Sequence, residues 1–186
     1  MKGRLGLLGR YENFPEVIHG VARLSFKFPM KKVRQAILCV LQQLNQEVCS
    51  LNVITPHLQS DIEVSFEVGV AEDVGFNYLD KEELDRFQKS MVEKELSLLD
   101  FFCVVRYHVV KDRRKRVPLK FDYHMLRFTF QENSMELQIC HERGTQRVPL
   151  EDLIAFITKR INEELFKKRL KPLSLEYFTK PLIKWT

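Results

Sequence analysis

Three runs decide how this chain reads: LDFFCVVRYHVV at 99–110, KFDYHMLRFTF at 120–130 and MELQICHER at 135–143. Each is rich in β-branched and aromatic residues, and polar breaks separate them, which is the pattern of an antiparallel meander. The second and third runs set their own register. A two-residue turn at Glu132 and Asn133 places Leu126 opposite Ile139, Phe128 opposite Leu137 and Phe130 opposite Met135. All three pairs are apolar, and a slip of one residue would turn every one of them to the other face. The same register sets His124 opposite His141. For the first and second runs, the better core pairs Val105 with Leu126, Cys103 with Phe128 and Phe101 with Phe130. The rival register, which would put His108 opposite His124, brings Arg106 to the core side. His108 is therefore expected on the other face, and His124 and His141 read as a polar pair at the open end of the sheet. They are weak metal candidates, because zinc ordinarily takes a third and usually a fourth ligand.

Working outward, Ala22, Leu24, Phe26 and Phe28 alternate with polar residues and predict a strand over about 17–28. Pro29 then opens a helix carrying Val33, Ile37, Val40, Leu41 and Leu44 on one stripe. Residues 49–61 read as a loop, and Ile62, Val64, Phe66, Val68 and Val70 mark a second alternating strand. Asp80 followed by Glu83 is a capping box, and predicts a helix from about 80 to 97. After the meander, a short strand at 145–148 leads to Pro149 and a last helix with Leu150, Leu153, Ile154, Ile157, Ile161 and Leu165 as its stripe. The order β-α-β-α-β-β-β-β-α predicts an α+β fold, a mainly antiparallel sheet with helices packed on one face and an extended C-terminal tail. Residues 1–16 read as a basic irregular arm, 17–166 as a single domain and 167–186 as the tail.

The 186 residues are 45% hydrophobic and 30% charged, enough for one well-buried core and too apolar for a disordered chain. Apolar runs fall far short of the ~20 residues that span a bilayer, and Met1–Arg10 does not resemble a signal peptide. Cys39, Cys49, Cys103 and Cys140 form no CxxC pair and sit in amphipathic segments. They read as buried thiols of a cytoplasmic protein, or a nuclear one in a eukaryotic cell.

The net charge of +5 is unevenly spread. Residues 1–34 carry eight cations and two acids, 106–120 seven and one, and 159–186 eight and three, whereas 61–85 carry nine acids and one cation. The run KDRRKR at 111–116 lies where the first two strands of the meander turn. A basic hairpin tip suits a phosphate backbone, with Arg offering a planar fork and Lys a point charge. It also suits a solvated turn that discourages edge-to-edge sheet pairing.

The leading expectation is thus a non-enzymatic protein that contacts nucleic acid, RNA or single strands, without reading sequence. Lys111, Arg113, Arg114, Lys115 and Arg116 would grip phosphate, with Lys167, Lys168 and Arg169 in support, and Tyr123 would stack on a base. The alternative is a protein–protein module or assembly subunit. It would self-associate through the acidic segment 61–85 and a tail bearing Leu175, Tyr177, Phe178, Leu182 and Trp185, side chains that need a surface to lie on. A third class, an enzyme, has little to show. Asp61, Glu63 and Glu67 share a strand face, but no nucleophile elbow, phosphate loop or dinucleotide fingerprint is present, and no cofactor is called for.

Overall fold

A computed structural model describes Tyr11 and residues 13–58, 61–93, 96–111 and 115–180. In chain order the elements are β1 (Gly20–Ser25), α1 (Met30–Leu44), β2 (Val48–Ser50), α2 (Leu51–Ile54), β3 (Ile62–Glu72), β4 (Gly75–Tyr78), α3 (Lys81–Glu93), β5 (Leu98–Lys111), β6 (Lys115–Pro118), β7 (Asp122–Gln131), β8 (Ser134–Arg143), α4 (Leu150–Lys167) and β9 (Ser174–Thr179). The nine strands form one antiparallel sheet in the order β2-β3-β5-β7-β8-β1-β9, with β4 on β3 and β6 on β5. The fold is α+β, and its helices cover one face of the sheet. No helix among the described residues is long and apolar enough to cross a membrane.

The expected stripes build the core. Val33, Ile37, Val40, Leu41 and Leu44 of α1, and Leu150, Leu153, Ile154, Ile157, Ile161 and Leu165 of α4, pack on Ala22, Val64, Val68, Phe101, Val105, Leu126, Phe128 and Ile139 of the sheet. Helix α1 ends at Asn45, whose amide takes the place of a strand. It accepts from the Val68 N–H at 2.6 Å and donates to the carbonyls of Val68 and Leu79 at 3.0 and 2.8 Å. On that edge of β3, β2 stops at Ser65 and β4 begins at Gly69, so Asn45 satisfies backbone that no neighbouring strand reaches.

The β7–β8 register is the one expected, with His124 opposite His141 and Leu126 opposite Ile139. The β5–β7 register is not. Phe101, rather than Val105, faces Leu126, Cys103 faces His124 and Val105 faces Asp122. The displacement is four residues, and its cause lies in the hairpin. Strand β5 runs on to Lys111, and β6 pairs with it as Lys111 opposite Lys115, so the return strand starts much nearer the turn than Lys120. A shift of four preserves the faces, because the side-chain period is two. His108 accordingly lies opposite Pro118, on the face away from His124.

Further differences are local. Residues 145–148 form no strand; Gln146, at φ +49°, turns back so that its N–H and that of Arg147 reach the Asp122 carboxylate at 2.6 and 3.1 Å. The expected loop at 49–61 contains α2 and part of β2. The C-terminal segment supplies an edge strand, β9, paired with β1. All four cysteines are free, Cys103 and Cys140 buried and Cys39 and Cys49 only partly so.

Candidate nucleic-acid interface

The helix-free face of the sheet carries a chain of aromatic rings. Phe102 of β5 and Tyr123 of β7 point to this face, out of phase with Phe101 and His124. Their ring centroids lie 5.2 Å apart. Phe121 meets Tyr123 edge-on at 4.8 Å, Phe76 of β4 lies 5.6 Å from Phe102, and Tyr11 meets Phe76 edge-on at 4.9 Å. All five rings are half-buried, so each keeps some surface exposed.

The two ends of the ladder differ. At the Tyr11 end the chain closes over the sheet. Arg127 holds Asp100 through two bonds of 2.7 Å, Tyr11 donates its hydroxyl to the same carboxylate, and the Arg127 guanidinium lies 4.6 Å from the Phe14 ring centre. Burial, then the hydrogen bond to Asp100 and its charge, push the Tyr11 phenol up to about 12. At the Phe121–Tyr123 end the neighbours are cations: Arg143 sits 5.6 Å from the Tyr123 ring and Arg106 5.5 Å from Phe121. Arginine over an aromatic face leaves the guanidinium edge available for anions, and at Arg106 that edge already holds Glu67.

The basic residues singled out in the sequence divide into two groups. Lys111 and Lys115 face one another, exposed, at the mouth of the β5–β6 hairpin. Arg113 and Arg114 lie outside the described residues. Arg116 pairs with Glu63 at 2.7 Å, and Arg106 holds Glu67 at 2.6 Å, so part of the acidic segment 61–85 is neutralised within the same chain. These two pairs also occupy two of the three carboxylates on the β3 face.

Lys167 and Lys168 pair with Glu164 at 3.2 and 3.7 Å, while Arg169, at φ +57°, ends α4 in the left-handed conformation. This second group lies far from the hairpin. The chain after α4 enters β9 at Ser174, level with Ser25, Ser134 and Gln131, which is the end of the sheet where β5 begins. Lys111 closes the other end of β5, 13 residues after Leu98 in a 14-residue strand, or about 40 Å at the rise of an extended chain. The helix-free face thus carries Arg116 and Tyr123, whereas Lys111 and Lys115, in phase with Phe101 and Tyr107, rise from the other face at the hairpin tip, and Lys167, Lys168 and Arg169 lie at the far end of the sheet.

The histidine pair forms as its register requires, with ring centroids 5.1 Å apart. Its surroundings were not legible in the sequence. Asp122, fully buried, accepts from the Tyr107 hydroxyl at 2.6 Å, from the Gln146 and Arg147 N–H groups and from His141 Nε2 at 3.2 Å. Burial alone would raise its carboxyl, but the bonds from Tyr107, Gln146, His141 and Arg147 together hold it below the ordinary value. Burial chiefly, with the neighbouring His141, lowers His124 to about 4, so its ring stays neutral. Among the described residues no three metal-ligating side chains converge. The acceptor capacity of Asp122 is taken up by the chain itself, which makes the cluster an anchor for the 144–147 turn. One signal pointed to it: Asp122 is in phase with His124, Leu126 and Phe128, and an acid on the core side of a strand must be hydrogen-bonded.

Of the tail residues, Phe178 packs on the core, Leu175 is 57% exposed and Tyr177 41% exposed. Leu182 and Trp185 lie outside the described residues. No protein-family model, curated protein or solved structure matches this chain.

Proposed function

We propose that this protein binds single-stranded nucleic acid on the helix-free face of its sheet, without reading base sequence. The ladder of half-buried rings ending at Phe121 and Tyr123, flanked by Arg106 and Arg143, carries the reading. Unpaired bases stack on partly exposed rings whatever their identity, and a sheet provides such rings at a fixed spacing. Phosphates would run toward Arg143 and Lys120, and around the hairpin tip to Lys111 and Lys115 on its other face. Nothing in the arrangement resembles a helix offered to a major groove, which favours single strands over duplex. Contacts of this kind bind the backbone and weaken steeply with salt.

Fluorescence anisotropy with a labelled oligonucleotide at two salt concentrations tests the proposal. The expected result is salt-sensitive binding that Tyr123→Ala weakens by about 1–3 kcal/mol, the usual worth of one stacked base. Lys111→Ala with Lys115→Ala should lower the salt slope by about two. Binding that is absent at low salt, or that ignores Tyr123→Ala, refutes it.

A further inference from the structure

We infer that two copies of this chain associate through α4, antiparallel about a two-fold axis, with Phe166 of each copy seated in a groove of the other. Helix α4 buries its stripe on the sheet, yet its outer flank does not end at solvent-loving residues. Phe166 is 81% exposed, and Leu175 of β9 is 57% exposed. Between them runs a groove of about 1030 Å³, floored by Ile154, Ala155, Thr158 and Phe178. A shift in register between Arg23 and Leu24 produces it. Leu175 and Phe178, three apart in sequence, lie opposite Leu24 and Ala22, so both face the helix side. Helix α4 covers β1 there and leaves β9 short of cover.

The charges on that flank identify the occupant as a second copy. Asp152 stands at the start of α4 beside Glu151, which Lys180 of the same chain already holds, and Lys171 stands beyond its end beside Lys167, which pairs with Glu164. Lys159 and Glu163, both exposed, lie at the middle. Set a second α4 antiparallel, with the axis at the level of Ile161. Lys159 of each copy then meets Glu163 of the other, the acidic start of each helix lies along the basic end of the other, and Phe166 comes level with position 156, beside the exposed Ala155 of the groove floor. Knob and groove belong to the same face of one molecule, which is what an isologous two-fold contact demands. Antiparallel helix dipoles add to the match. The surface lies on the far side of the sheet from Tyr123, so the inference does not depend on nucleic-acid binding.

Sedimentation velocity on the full chain over roughly 1–100 μM, where contacts of modest size associate, supplies the test. Wild type should shift from monomer to dimer with concentration. Phe166→Asp should raise the dissociation constant at least about tenfold with an unchanged thermal melt, because Phe166 supports little of the monomer. Lys159→Glu and Glu163→Lys should each associate poorly alone, since either one sets like charges opposite across the axis. Mixed one to one they should dimerise, because the two acids of one variant then face the two cations of the other. A wild type that stays monomeric overturns the inference. So does a dimer indifferent to Phe166→Asp, or a mixture no tighter than its components.

Discussion

Tyr107 and Asp122 meet inside the sheet, phenol donating to carboxylate across 2.6 Å, with both side chains sealed from solvent. The contact joins β5 to β7 at the point where β6 and β7 part, and the same carboxylate then gathers the turn at Gln146 and Arg147. One side chain thus fixes a register and a loop at once. Burial and the Asp122 bond push the Tyr107 hydroxyl well above its ordinary range, so it remains a donor at any physiological pH.

Asp122→Ala should destabilise the protein by about 3 kcal/mol or more, because it strands buried donors worth about 1–3 kcal/mol each. Urea unfolding measures the loss. The native carboxyl titrates below 3.8, so the stability it contributes is fully present above that pH and is lost as pH falls below it.

His124 should dominate the acid dependence at higher pH. Its folded value of about 4 lies beneath the ordinary 6.5, so the unfolded chain binds its proton first. Its contribution is complete above 6.5 and declines toward pH 4, by about 3 kcal/mol in all. Neither ring nitrogen has a hydrogen-bond partner among the described residues. His124→Leu should therefore flatten the stability profile between pH 6.5 and 4 while costing little at pH 7. An unchanged profile would show that another group governs it.

Asn45→Ala removes the amide that stands in for a strand along β3. It leaves the Val68 N–H without its 2.6 Å acceptor in a core-lined edge. A loss of about 2 kcal/mol is expected, with hydrogen exchange accelerated first at Val68 and Leu79.

Arg169→Gly should stabilise the fold by about 0.5–1 kcal/mol, since a left-handed residue after a helix is strained unless it is glycine. The Leu170 N–H, bonded to the Leu165 carbonyl at 3.0 Å, keeps the helix end intact. Oligonucleotide binding at the hairpin should not change, because Arg169 sits at the opposite end of the sheet. A parallel loss of binding would join the two basic groups after all.

Local rules carried much of the fold. The α1 and α4 stripes, the alternation of β3 and the β7–β8 register followed from periods of 3.6 and two and from a two-residue turn, all of which act between near neighbours in sequence. The same rules placed His124 opposite His141 and sent His108 to the other face. They missed the four-residue shift of β5 against β7, because β6 and the irregular link at 119–121 had to be known first. They also missed the pairing of β9, where exposed Leu175 and Tyr177 gave no clear period.

The sequence by itself therefore determined which residues face the core and which carry charge. Only the tertiary structure decided which charges share a surface. Lys111 and Lys168 look alike in composition, yet the path through the three strands between β5 and β9 sets them at opposite ends of one sheet. It also brings Phe102, Phe121, Tyr123 and Arg143 together from three strands and a link. Proximity of that kind depends on strand order and register. These are settled by the packing of the whole core, and no local stretch of the chain encodes them.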